Sequence, residues 1–340
     1  GRRWPREGCV ESVLYAGHLC VVGESVRVGS EARALPLEMG RIFALLGLIL
    51  VVCTVGCASD SRCVVIAHRG ASGYLAEHSL AAYALAYGMG ADVIEPDVVL
   101  TGDGVPVCSH DLTIPEDAHG VLADRFAERR RADGKWYIID FTTEELRGLD
   151  AMVGDQDWSG PRVLPVTLDE MISMVRRLNE VTGRRVEIVP EAKGPRFHRE
   201  NGKPIEGVLL ETLAKHGYTG RRDGAIIQCF DLDAIKRMRV ELRTDLRLVY
   251  LIREPLDEET LDEIAGIVDG IGPSIRLVEA VDGSPGTQPD IAERARRRGL
   301  TVYFWTFDRD EARMARFMQM KGVTGIFTDY PDVAVRVRDR

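Results

Sequence analysis

The chain has 340 residues, of which 45% are hydrophobic, enough to enclose one large core with extensions. Acidic residues outnumber basic ones, 53 to 44, for a net charge of −9. With no Lys/Arg-rich stripe, broad affinity for nucleic acid or for anionic membranes is excluded, and an anionic ligand has to be met by a local positive site.

Residues 1–38 show no clear periodicity and carry no fold assignment. An ordinary signal sequence begins well at Met39, and the apolar run IFALLGLILVVCTVG (42–56) follows Arg41 and precedes Cys57-Ala58-Ser59-Asp60. The run is short for a spanning helix, which needs about twenty residues. A basic flank, a short apolar stretch and small residues read instead as a secretory signal. TVG before Cys57 is similar to a bacterial lipobox. Residues 39–57 are thus expected to be a lipoprotein-type signal, Cys57 the lipidated terminus and 58–63 a tether, with location in the periplasm or cell envelope. Cleavage after Ala58 and an uncleaved anchor are the alternatives. Of seven cysteines, five precede or edge the folded region. Cys108 and Cys229 sit in strand-like runs as small buried hydrophobes, so no disulfide framework is expected.

From residue 64 onward, β-branched apolar runs alternate with helical patterns, the mark of parallel strands joined by crossover helices. The predicted strands are 64–68, 93–99, 105–110, 186–192, 225–230, 247–252, 270–273, 301–307 and 325–329. The connection Thr101-Gly102-Asp103-Gly104 is too short for a parallel crossover, so 105–110 folds back as a hairpin strand. The remaining eight predict an α/β fold, a (β/α)8 TIM-type barrel over 64–335, with 336–340 as a tail. Ser79 is an expected helix cap, and Thr142 with Glu145 and Thr167 with Glu170 have the capping-box spacing. The stretch from about 112 to 165, with Trp136-Tyr137 in it, has no convincing strand and reads as an insertion over the active-site face. Residues 282–289 read as a loop and 294–298 as a solvated helix face.

Barrel strand ends converge on one mouth, so residues far apart in sequence can share a site. His68, Glu95, Asp97, Glu191, Gln228 and Trp305 all occupy such ends, the last two as supporting or substrate contacts. Alternation puts Glu95 and Asp97 on the same side of their strand. Two adjacent carboxylates repel unless something positive intervenes, and a hard divalent cation with Glu191 as third oxygen ligand answers this. His68 and His110, with Arg69 and Lys193, offer proton transfer and charge neutralisation for one phosphate, and Asp111 can orient an imidazole or hold the turn. The set points to metal-assisted hydrolysis of a phosphodiester. His18, His78, His119, His198 and His216 lie off the strand ends and read as surface or loop residues, although the loop carrying His198 can fold over the site.

These residues carry a family resemblance. VIAHRGASGYLAEHSLAAYALAYGMGADVIEPDVVLTGDGVPVCSHD resembles the opening of the glycerophosphodiester phosphodiesterase family. RRADGKWYIIDFTTEEL, the stretch from PEAKGP through FHRENGK, HGYTG, IIQCFD and GIFTDYPD resemble its bacterial periplasmic branch. The likeness runs from about Val64 to Val335. It implies a barrel enzyme that hydrolyses deacylated phospholipids, such as glycerophosphocholine and glycerophosphoethanolamine, to sn-glycerol 3-phosphate and an alcohol. It also implies one divalent ion, calcium in this branch with magnesium as the alternative. By the same resemblance His68 and His110 are the catalytic histidines, Glu95, Asp97 and Glu191 the metal ligands, and Arg69 and Lys193 the phosphate contacts. Glu77 falls in the family's Pro-Glu-His-Thr-like segment as a supporting residue, here flanked by Ala76 and Ser79. The chain departs from the pattern at Pro96, between two ligands, at Arg196, where the branch has Trp, and in a shorter 253–275 segment. These changes bear on substrate preference. The residues leave open which histidine is acid and which base, and whether a cyclic phosphate forms. The expected partner is a small diester, with membrane contact only through the lipid anchor; the head group and the oligomeric state stay open. Rival readings are phospholipase D-like action on lysophospholipids and a non-catalytic surface-binding lipoprotein.

Overall fold

The structure, a computed structural model, describes residues 62–115, 119–149 and 164–340. The upstream segment, the predicted signal with Cys57, and all of the tether but Arg62 and Cys63 lie outside the described residues. Among the described residues no helix is long and apolar enough to cross a membrane.

In chain order, β1 (Val64–Ala67) leads to α1 (Leu80–Gly88), and β2 (Val93–Ile94) and β3 (Asp97–Leu100) precede β4 (Pro106–Cys108). Helices α2 (His119–Arg125) and α3 (Thr143–Arg147) come next, then α4 (Leu168–Thr182), β5 (Glu187–Ile188) and β6 (Glu191–Ala192). They are followed by α5 (Pro195–Glu200), α6 (Ile205–Lys215), β7 (Ile226–Cys229), α7 (Leu232–Lys236), β8 (Arg247–Ile252) and α8 (Glu258–Ala265). The chain ends with β9 (Gly270–Pro273), α9 (Ile291–Arg297), β10 (Thr301–Phe307), α10 (Glu311–Met318), β11 (Gly325–Thr328) and α11 (Pro331–Arg338).

The described strands form one mixed sheet in the order β4-β3-β6-β7-β8-β9-β10-β11-β1-β2-β5. Every neighbouring pair is parallel except the β3–β4 hairpin, which pairs Val99 with Val107. The sheet is strongly curled: Ile188, in the last strand of that order, bridges Ala225 just before β7. Eleven strands stand where nine are predicted, because 93–99 and 186–192 are each interrupted by a proline, Pro96 and Pro190. Proline lacks the N–H that a ladder needs. Its carbonyl still serves, since Pro96 O accepts from Glu191 N at 2.9 Å and Pro190 O from Gln228 N at 3.0 Å.

Strand alternation divides the core in two. Val65, Ile94, Ile188, Ile227, Leu248, Val302 and Ile326 face the helices, while Ile66, Val93, Val189, Val249, Leu251, Tyr303 and Phe327 pack together on the other face. Both faces are apolar, as in any covered parallel sheet. The helix starts follow the capping signals: Ser79 accepts from Ala82 N, and Thr142/Glu145 and Thr167/Glu170 form reciprocal capping boxes.

Beyond the hairpin, Val99 and Val107 join Ile114, Leu122, Trp136, Ile138 and Phe141 in a separate buried cluster. Tyr137 stacks on Phe197 of α5 at 5.1 Å, and the Arg131 guanidinium lies over both rings. The segment after β4 is thereby fastened to the element that follows Glu191. The stretch 294–298 is not a uniformly solvated face. Arg294 is buried and donates to Leu256 O at 2.9 Å, and Arg298 pairs with Glu258 and Asp262, leaving Arg296 and Arg297 exposed. The acids of α8 supply partners that let two arginine stems pack inward.

Candidate active site

The site begins at the exit of β1. Arg69 and Gly70 both take positive φ, 56° and 88°. A Cβ at Gly70 would lie 2.8 Å from the carbonyl carbon of Ala82, so only glycine lets this turn press against α1. The turn leaves His68 and Arg69 at the end of the strand. His68 Nδ1 lies 2.6 Å from Asp329 Oδ1, which also accepts from Ser72 Oγ at 2.9 Å. Burial opposes ionisation of Asp329, but the imidazole, Ser72 and Arg69 outweigh it and hold the carboxyl below the usual range. A carboxylate there accepts a hydrogen bond from Nδ1–H and leaves Nε2 of His68 for the site. His110 repeats the arrangement, its Nδ1 2.9 Å from Asp111 Oδ1. That bond holds Asp111 below the ordinary carboxylate range.

Glu95, Asp97 and Glu191 are buried together, each offering an oxygen within 4.8 Å of the others. The parallel register that sets Asp97 beside Glu191 and Glu191 beside Gln228 produces this meeting. Gln228 Nε2 donates to Glu95 Oε1 at 2.5 Å, and Lys193 Nζ is 3.0 Å from Glu191 Oε1. Arg69 donates from Nη1 to Glu77 Oε2 at 2.6 Å and lies with Nε 3.2 Å from Asp97 Oδ2. Burial and the neighbouring carboxylates push Glu95 well above its usual range, and burial with Asp97 pushes Glu191 up to about 8. Burial works against Asp97 too, but Lys193, His78 and Arg69 hold it well below the usual range.

Four buried carboxylates, Glu77, Glu95, Asp97 and Glu191, against the two cations Arg69 and Lys193 leave an excess of negative charge, a costly arrangement that favours protons on Glu95 and Glu191. Glu95 Oε2 and Asp97 Oδ1 are buried with no hydrogen-bond partner among the described residues. Unpaired, converging hard oxygens are the donor set of calcium or magnesium, so the residues fit a divalent cation.

His68, Arg69, Glu95, His110, Glu191 and Lys193 line one pocket, together with Gln228 and Trp305. Asp97 lies buried against Arg69 and Glu77 braces the guanidinium. Two histidines assigned to the surface are buried. His78 has positive φ, 59°, which turns it inward between Tyr83 OH at 2.9 Å and Asp97 Oδ2 at 3.2 Å. His198 is buried in α5, with neither ring nitrogen hydrogen-bonded among the described residues. His216 is half-buried, its Nε2 2.6 Å from Asp169. Asp329 and Arg253 are further site residues that are not among those expected from the sequence. Both directly follow a strand, the same signal that marks Lys193.

Burial lowers His198 to about 4. Between that value and the ordinary 6.5 the unfolded chain binds a proton that the native state does not, so stability falls as pH drops through this window. Relative to His198→Leu, the protein is expected to lose roughly 3 kcal/mol between pH 7 and pH 4. Urea melts of both proteins at the two pH values check this; parallel losses would contradict it.

Residues 68–333 match the model of the glycerophosphoryl diester phosphodiesterase family. The chain belongs to that family. It is accordingly a glycerophosphodiester phosphodiesterase. A glycerophosphodiester phosphodiesterase of Haemophilus influenzae is 32% identical over 325 residues, covering 80% of this chain and 88% of the relative. One of Treponema pallidum is 30% identical over 350 residues, covering 86% and 96%. Among solved structures, an Oleispira antarctica phosphodiesterase in complex with the product sn-glycerol-3-phosphate is similar with a TM-score of 0.60 at 23% identity, covering 82% of this chain and 97% of that one. A glycerophosphodiester phosphodiesterase of Parabacteroides distasonis gives 0.59 at 23%, covering 83% and 98%.

Proposed function

We propose that this enzyme hydrolyses glycerophosphodiesters, such as glycerophosphocholine and glycerophosphoethanolamine, to sn-glycerol 3-phosphate and the free alcohol, using one divalent cation and two histidines. The convergence of Glu95, Asp97 and Glu191 beside Arg69 and Lys193 carries this reading. A divalent ion offsets the excess negative charge of these buried carboxylates, so that a phosphodiester anion can be met beside Arg69 and Lys193. Counting 93–100 and 187–192 as one stave each, the parallel pairings are those of an eight-staved (β/α)8 barrel, the fold we infer.

Glu95, Asp97 and Glu191 would hold the ion, calcium in our reading. When bound it supplies Lewis acidity to a phosphate oxygen. Arg69 and Lys193 neutralise the charge that builds as phosphorus becomes five-coordinate. His68, with Nδ1 tied to Asp329, takes through Nε2 a proton from water or a glycerol hydroxyl. His110, with Nδ1 tied to Asp111, protonates the departing alkoxide.

Glu77 positions rather than reacts, holding the Arg69 fork. Glu77→Gln is expected to raise KM roughly fivefold with a smaller change in kcat, since the charge-assisted bond fixing Arg69 is lost. Steady-state kinetics check this, and an unchanged KM would remove Glu77 from the site.

Release of sn-glycerol 3-phosphate from glycerophosphocholine, set against choline release from lysophosphatidylcholine, tests the reaction. Preference for the lipid would establish phospholipase D-like action instead, and no release from either with calcium supplied would favour a non-catalytic lipoprotein. We also propose export to the periplasm or cell envelope, in keeping with the bacterial periplasmic branch, with attachment through Cys57. Growth with labelled palmitate is expected to tag the wild-type chain and not Cys57→Ser; equal labelling of both would refute the anchor.

A further inference from the structure

Arg253 directly follows β8 and is exposed at the pocket. Its guanidinium carbon stands 4.4 Å from the Phe230 ring centroid and 5.5 Å from that of Trp305. The two rings meet edge to face at 5.4 Å, and Trp305 Nε1 donates to Gly272 O at 2.6 Å, which fixes the indole. Stacking on both rings holds the guanidinium in place without neutralising it. The other cations of the pocket are taken: Arg69 pairs with Glu77 and Asp97, and Lys193 with Glu191. Arg253 makes no ion pair among the described residues. A clamped, unpaired guanidinium at the edge of a binding pocket is a seat for an anion.

The geometry points to a second-anion subsite, formed by Arg253 over Phe230 and Trp305, that selects diesters whose alcohol arm carries an additional negative charge, such as a carboxylate or a second phosphate. This rests on the proposed phosphodiesterase reading and names its substrate class. The same arrangement works against cationic arms. An ammonium group needs an open aromatic face for cation–π contact, and here the faces are partly covered by a fixed positive charge that repels it.

Glycerophosphoserine and glycerophosphoethanolamine differ by one carboxylate and make the test. Wild-type enzyme with calcium is expected to favour the serine diester about fivefold to tenfold in kcat/KM at low salt, the preference shrinking as ionic strength rises. In Arg253→Gln the ratio is expected to fall to about one, and in Arg253→Lys to keep part of its value. A ratio of selectivities is blind to partial unfolding, which lowers both terms alike. A wild-type ratio near one, or a ratio unchanged by Arg253→Gln, overturns the subsite. Titration calorimetry of the same two diesters on calcium-loaded His110→Ala protein reads the preference without turnover. Absence of hydrolysis by the calcium-loaded wild type would count against the phosphodiesterase reading, while the binding ratio still decides the subsite.

Discussion

His68→Ala and His110→Ala are each expected to lower kcat by roughly 100-fold or more while leaving thermal stability near that of the wild type, the usual scale for losing a positioned acid or base. Both imidazoles are anchored at Nδ1 by an aspartate, so each presents a single free nitrogen. What separates them is the proton each moves. A diester with an acidic leaving group, such as a nitrophenol, departs without protonation, so it should restore much of the turnover of His110→Ala and little of that of His68→Ala. Rescue of His68→Ala alone would exchange the two roles. Near-normal turnover in either variant on natural diesters would remove that histidine from the chemistry.

The second large effect concerns the acids. Chelation is expected to reduce activity by at least about 100-fold, with calcium restoring it, and Glu95→Gln, Asp97→Asn and Glu191→Gln each to resist restoration, because each removes one hard oxygen from the set. Without the ion, burial and the neighbouring Asp97 keep Glu191 protonated up to about pH 8. Ion binding must then displace that proton and the one that burial favours on Glu95, so affinity is expected to rise with pH below about 8, by up to about a hundredfold per unit. The stability of the metal-free protein runs the opposite way. From the ordinary glutamate value of 4.5 up to about 8 the native state binds the extra proton, so stability falls as pH rises through that window. Melting temperatures in chelator at pH 6 and pH 8, repeated with calcium, test the sign. A chelated protein more stable at pH 8 would contradict the buried triad.

Much of this site is legible in the sequence because the signal is positional. An acid, imidazole or cation after an apolar β-branched run ends up at a strand end, and His68, Glu95, Glu191 and Lys193 meet there although more than a hundred residues separate the first from the last. Pairing register does the rest, setting Asp97 beside Glu191. The strand count fails at Pro96 and Pro190, where periodicity continues but the missing N–H interrupts the ladder. His78 and His198 escape because burial of a histidine depends on tertiary neighbours, and for His78 also on a backbone turn, neither of which leaves a periodic trace. For His78 the decisive fact is a positive φ at a non-glycine residue, which local propensity argues against. Arg294 misleads for a related reason, since its partner Glu258 is thirty-six residues away on a different helix.

The most direct test is a crystal grown with calcium and sn-glycerol 3-phosphate, with anomalous scattering used to locate the ion. One calcium bound by oxygens of Glu95, Asp97 and Glu191 at about 2.3–2.6 Å, with the phosphate between it, Arg69 and Lys193, is the predicted result. An ion seated elsewhere, or a phosphate bound away from these three acids, would contradict it.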